Sequence, residues 1–309
     1  MATIFHHGRL LCVAAAMLGS AGSFAATAPV QVGSKIDTEG SLLGNIILQV
    51  LESHGVKTIN KLQLGATQVL RGAIVANEID IYPEYTGNGA FFFADEKDPA
   101  WKDANAGYQK VKTLDYEKNH IVWLDPAPAN NTWTIAVRED VAAKGQLASL
   151  ADLSRYLKEG GVFKLAASAE FIERADALPA FQKAYDFTLS QDQLLSLAGG
   201  DTAVTLKTAA EHTSGVNAAM AYGTDGPVAA LGMRTLADPK GVQPVYAPTP
   251  VIRDEVLKQH PEITQWLKPV FASLDAATLQ RLNASIAVEG QNASKVAADY
   301  LKQKGFIKS

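Results

Sequence analysis

The sequence predicts an α/β protein of two lobes with a cleft between them, each lobe a mainly parallel sheet flanked by helices. Three observations carry that prediction. Apolar runs of strand length alternate with amphipathic helical stretches over residues 30–82. The same alternation resumes over residues 132–222. From Ile252 to the end the pattern is helical, with no strand of its own for those helices to cover. Alternating strands and helices build parallel sheets with helices on their faces. The terminal helices find a sheet if the chain crosses to a second lobe near Asn131 and returns near Ala247. The expected division is 26–131 and 247–309 for one lobe and 132–246 for the other, after a removable segment at 1–25.

Taken in order, residues 30–32 read as a strand ended by Gly33. Thr38 is placed to cap a helix with an apolar stripe through Leu43, Ile46, Ile47, Val50 and Leu51, stopped by Gly55. Residues 58–64 form a second strand, Thr67 opens a second helix through Val69, Leu70 and Ile74, and 79–82 form a third strand. There Pro83, Gly87 and Asn88 announce a loop leaving the sheet at its carboxyl edge. In the middle unit, strands at 132–137, 163–167, 193–197 and 216–222 alternate with helices at 149–158, 178–185 and 202–211. Residues 242–246 read as one more strand before Pro248 and Pro250. Helical stripes then follow at Ile263, Leu267, Val270 and Phe271, which Pro269 should kink, at Leu279, Leu282 and Ile286, and at Val296, Ala297, Tyr300 and Leu301.

Composition narrows the function. The 309 residues are 47% hydrophobic and 19% charged, with a net charge of -4 and no basic run. Nucleic acid is excluded as a partner, because phosphate binding needs clustered Lys and Arg. Within residues 1–25, Arg9 precedes an apolar stretch at 10–18, small residues, and the step Ser23-Phe24-Ala25. That order is a signal peptide cut after Ala25 or Ala26, too short to stay in a bilayer. Its removal takes away the sole cysteine, Cys12. A core of this size needs no disulfide. The remaining histidines, His54, His120, His212 and His260, are scattered and show no metal-ligand spacing. Gly-x-Ser-x-Gly, P-loop and Gly-x-Gly-x-x-Gly signatures are missing. No enzyme, metal or cofactor is expected.

Aromatic residues fall where a two-lobe fold would bring them to its cleft. Tyr85 follows the third strand, with Asn88 just beyond. Trp133 stands at the first crossing, Tyr222 ends the last strand of the middle unit, and Tyr246 stands at the return crossing. Ring faces are negative and attract a cation that cannot hydrogen-bond, typically a quaternary ammonium, by about 2 kcal/mol when desolvated. The plainer reading makes them core aromatics. For a carboxylate on the same solute, Lys35 after the first strand and Arg174 in the middle unit are available, with backbone N–H groups at a helix start. Arg174 reads equally as an ion pair with Glu170 or Asp176. A primary ammonium would instead need an acceptor such as Asp37, Glu84 or Asp225, which makes an amino acid the competing ligand. An exported enzyme of the same fold class lacks a nucleophile–base pair here, and a structural envelope protein would have no use for the aromatic cleft.

The motifs Gly-Ser-Lys-Ile-Asp-Thr-Glu-Gly at 33–40, Leu-Gly-Asn at 43–45 and Asp-Ile-Tyr-Pro-Glu-Tyr-Thr-Gly at 80–87 resemble the glycine betaine/choline/carnitine substrate-binding family of ABC transporters. Asn-Asn-Thr-Trp at 130–133, Tyr-Gly-Thr-Asp-Gly at 222–226 and the Tyr246 region extend the resemblance. It implies a type II periplasmic-binding fold and a monomer in the periplasm that serves permease and ATPase subunits. It also implies a small quaternary-amine ligand, caged by Tyr85, Trp133, Tyr222 and Tyr246, its carboxylate held by Lys35, Asn88 and Arg174. Many relatives carry Tyr where this chain has Trp133 and Thr where it has Asn88, so the pocket is reshaped at both positions.

Overall fold

The protein, seen in a computed structural model that describes residues 1–2 and 28–308, forms two five-stranded sheets among the described residues. The expected signal peptide, with Arg9 and Cys12, lies outside the described residues. No helix among those described is long and apolar enough to cross a membrane. The strands are β1 (Val30–Lys35), β2 (Thr58–Gly65), β3 (Ile81–Tyr85), β4 (Ile121–Trp123), β5 (Trp133–Arg138), β6 (Leu165–Ser168), β7 (Leu194–Leu197), β8 (Ala218–Tyr222), β9 (Met233–Thr235) and β10 (Pro248–Arg253). One sheet has the order β2-β1-β3-β10-β4, the other β7-β6-β8-β5-β9.

The two orders follow one rule. Within each unit, strands joined through helices run parallel: β1 with β2 and β3, and β6 with β7 and β8. The strand that has just arrived from the other lobe is reversed. β10 pairs antiparallel with β3 and β4, and β5 antiparallel with β8 and β9. A helical crossover brings the chain back to where a strand began, so linked strands share a direction. A chain crossing between lobes enters at the carboxyl edge, where the cleft lies, and can only run away from it. Each sheet is therefore mixed, with a single opposed strand.

Local signals place most helices. Helix Thr38–Ser53 is capped one residue earlier than expected, by Asp37, whose carboxylate accepts from the Gly40 N–H at 2.7 Å. It ends at His54, and Gly55 follows with φ +81°. Ser149 closes a capping box over helix Leu150–Lys158. Helix Leu178–Tyr185 has the expected bounds. Pro269 sits inside helix Ile263–Ala272 without ending it. Helix Ala293–Gln303 packs against Thr38–Ser53, so the C-terminal helices do cover the first sheet.

Two expectations are corrected. β3 extends through Pro83 and Glu84 to Tyr85, so these belong to the sheet and not to a loop. Residues 242–246 form no strand; the strand is β10, which begins at Pro248 and contains Pro250. Pro250 is the register partner of Pro83, so two residues without an N–H share one rung, and the Pro250 carbonyl accepts from the Leu124 N–H at 3.0 Å. Helix Ala104–Asn119 and the short strands β4 and β9 complete the units beyond what the pattern suggested.

Candidate functional site

The sheets meet at the two crossings, where the chain segments are tied side by side. The Asn131 N–H donates to the Tyr246 carbonyl at 2.8 Å, and the Tyr246 N–H to Asn130 Oδ1 at 2.8 Å. Tyr85 closes β3 and Tyr222 closes β8, while Trp133 opens β5. Trp133 and Tyr222 are register partners across an antiparallel pair. Their rings therefore stack, with centroids 6.2 Å apart and planes 19° apart. Tyr246 lies 5.8 Å from Trp133, and Phe171 packs edge-on at 5.6 Å. Tyr246 comes in so close over Gly87 that a β-carbon there would stand 2.8 Å from its ring.

Tyr85, Trp133, Tyr222 and Tyr246 line one cavity, together with Lys35, Asn88, Asp37, Asn131 and Glu170. Its volume is about 30 Å3, close to one water's share of the liquid. Burial raises the pKa of all three tyrosines, so they present neutral rings. The Tyr85 hydroxyl donates to Glu39 Oε1 at 3.0 Å. Glu39 also accepts from Asn131 at 2.7 Å and from Asn283, on helix Ala276–Ala287, at 2.8 Å. One buried carboxylate thus links a cavity ring to a crossing and to a C-terminal helix. Burial raises the pKa of Glu39 and of Asp37.

The charged residues form a chain of contacts from one lobe to the other. Glu84, with no exposed surface, accepts from Lys35 at 2.6 Å, from Asn88 at 2.6 Å, from the Tyr85 N–H at 2.8 Å and from the Tyr82 hydroxyl at 2.9 Å. Asn88 Oδ1 accepts in turn from Arg174 at 3.0 Å. Arg174 grips Asp176 through Nε at 2.6 Å and Nη2 at 2.7 Å, donates to Glu170 at 2.9 Å, and reaches the Tyr246 hydroxyl at 3.3 Å. All five of its N–H groups are therefore in use. Burial opposes its charge, but the Asp176 contact and the neighbouring acids outweigh burial and raise its pKa. Its guanidinium carbon stands 4.5 Å from the Trp133 ring centre and 4.4 Å from that of Phe91, and the Lys35 ammonium 4.7 Å from that of Tyr85.

All seven expected residues are thus gathered at the lobe junction; six line the cavity, and Arg174 stands behind Glu170 and Asn88. Both acids offered for the plain ion-pair reading of Arg174 are engaged at once. Of the acceptors considered for a primary ammonium, Glu84 is saturated. Asp225 holds the Tyr222 N–H at 2.6 Å and the Thr202 hydroxyl at 2.8 Å. Only Asp37 of the three borders the cavity. Glu39, Asn283 and Phe91 carried no signal in the sequence, because their roles depend on partners 46 to 244 positions away or on another lobe.

Residues 28–303 match the family described as the substrate binding domain of ABC-type glycine betaine transport systems. The chain is 77% identical over 283 residues to the glycine betaine-binding protein YehZ of Escherichia coli (strain K12), covering 92% of this chain and 93% of that one. A solved structure of apo YehZ from the same species covers 91% of this chain and all of its own, with a TM-score of 0.67. A crystal structure of a glycine betaine/carnitine/choline ABC transporter, 22% identical, covers 90% of this chain and 99% of its own, with a TM-score of 0.69.

Proposed function

The chain belongs to the substrate-binding family of ABC-type glycine betaine transport systems, and from that premise we propose that it is an exported, periplasmic, monomeric receptor for a quaternary-ammonium zwitterion such as glycine betaine. It performs no chemistry on its ligand. The observation that carries this reading is the convergence of four aromatic residues, from both sheets and a crossing, on one buried cavity beside Lys35 and Asn88. A trimethylammonium group cannot hydrogen-bond and gains from ring faces, and neutral phenols keep those faces available. Lys35 has one ammonium hydrogen committed to Glu84 and others left for a carboxylate. At Arg174 the Asp176 grip stays, and the ligand carboxylate replaces Asn88 and Tyr246 at the two outer N–H groups.

The ligand enters as the rings separate. Lobe rotation supplies that space, since the cavity walls come from different sheets. The ligand favours the closed form only through interactions it makes there and not in the open form. The closed form is then offered to permease and ATPase subunits.

Isothermal titration of the protein lacking residues 1–25 with glycine betaine, choline, carnitine and a panel of amino acids tests the reading. Saturable binding of a quaternary amine, weakened about thirtyfold in Tyr222→Ala, is the expected result. Binding of an amino acid alone, with Asp37 as the acceptor, would overturn the cage and keep the receptor.

A further inference from the structure

Four tryptophans occur in the chain, and they differ in what their indole N–H meets. Trp101 donates to the Asp95 carbonyl at 2.8 Å, and Trp123 to Asp115 at 2.7 Å. Trp266 is partly exposed. Trp133 is 6% exposed, and its indole nitrogen is shielded from solvent with no hydrogen-bond partner among the described residues. The Tyr222 hydroxyl lies near this N–H but outside hydrogen-bonding geometry. A wider groove of about 900 Å3 borders Trp133 on another side, but the nitrogen does not meet its water. Buried donors are nearly always paired, and a buried donor left without an acceptor costs free energy that a ligand can return.

We infer that the Trp133 indole N–H is a specificity-determining donor, which takes the carboxylate of the bound zwitterion and so selects acid-bearing quaternary amines over those without an acceptor. The inference rests on the binding function proposed above. The ring and the N–H act on different ends of one ligand. A trimethylammonium group offers no lone pair, so it meets only the ring face. A carboxylate forms a charge-assisted hydrogen bond, roughly twice as strong as one to a neutral oxygen, and choline's hydroxyl falls between. Lys35, across the cavity, draws the carboxylate by charge, and the indole N–H adds to the Arg174 pair a donor that donates only to an oxygen in the ring plane. A phenylalanine at this position would keep a ring and lose that in-plane donor.

The test compares glycine betaine, choline and tetramethylammonium on the protein lacking residues 1–25 and on its Trp133→Phe variant. Any change in ring packing weakens all three together. Glycine betaine affinity is expected to fall at least about tenfold further than tetramethylammonium affinity, about 1.4 kcal/mol, with choline intermediate. Equal losses for the three would overturn the inference while leaving the cage in place. Failure of the wild type to bind any of them would remove the cage itself, and this inference with it. If Trp133→Phe does not fold, nitrogen-15 NMR of the wild type decides. Glycine betaine should move the Trp133 indole signal downfield and tetramethylammonium should not. A signal unmoved by glycine betaine would mean that the N–H faces the Phe171 ring instead.

Discussion

Trp133, Tyr222 and Tyr246 come together through backbone pairing, whereas Lys35, Glu84, Asn88 and Arg174 come together through one another. The first set is placed by strand register and by the tied crossings. Each ring could be changed without leaving a charge behind. The second set is a relay in which every member satisfies its neighbour, so removing Lys35, Glu84 or Arg174 leaves a buried charge without its partner. Aromatic recognition is thus separable from stability here, and charged recognition is not.

The largest test of that contrast is Arg174→Ala. It strands Asp176 and Glu170 beside a buried void, and loss of one partner of a buried pair costs about 3–5 kcal/mol. The urea midpoint should fall accordingly; an unchanged midpoint would show that water already shares this network. Tyr222→Ala should reverse the pattern, because Tyr222 is only half-buried. Glycine betaine binding should weaken by about 2 kcal/mol, near thirtyfold, with a smaller loss of stability than in Arg174→Ala. A stability loss as large as that of Arg174→Ala would dissolve the distinction.

Asp225 sharpens it from the other side, being a buried acid that holds the Tyr222 backbone. Burial pushes its pKa from 3.8 up to about 7. Between those values the folded protein binds more protons than the unfolded chain, so stability falls as pH rises from about 4 to about 7 and is flat on either side. Asp225→Asn should lose that slope, as read from denaturant midpoints at pH 5 and pH 7.5. The smallest effect belongs to Asn88→Thr, which shortens the link between Glu84 and Arg174. It should cost about 1 kcal/mol of stability, the net worth of an ordinary hydrogen bond. A cost near that of Arg174→Ala would make Asn88 the keystone of the relay.

Much of this was legible in the residues. Helix Leu178–Tyr185 could be bounded from its apolar stripe, and the end of β8 from the glycine-rich turn that follows it. Trp133 and Tyr222 were legible for the same reason, since a residue at a strand end is placed by its own segment. Pro248 and Pro250 misled, because a proline argues against a central strand unless another proline faces it, and Pro83 lies 167 positions away. Arg174 stayed ambiguous because Glu170 and Asp176 flank it in sequence, while Asn88 and Tyr246, which make it a junction residue, do not.

By itself the sequence determined the α/β units, the double crossing and the aromatic residues near the crossings, since hydrophobic period, turn residues and ring placement are local properties of the chain. Only the tertiary structure decided that each arriving strand is reversed, that Glu84 and Arg174 are hubs of one relay, and that Trp133 is left with an unanswered donor. Those facts depend on which groups meet across two lobes. A buried charge or N–H is defined by its partners, and its partners lie far along the chain.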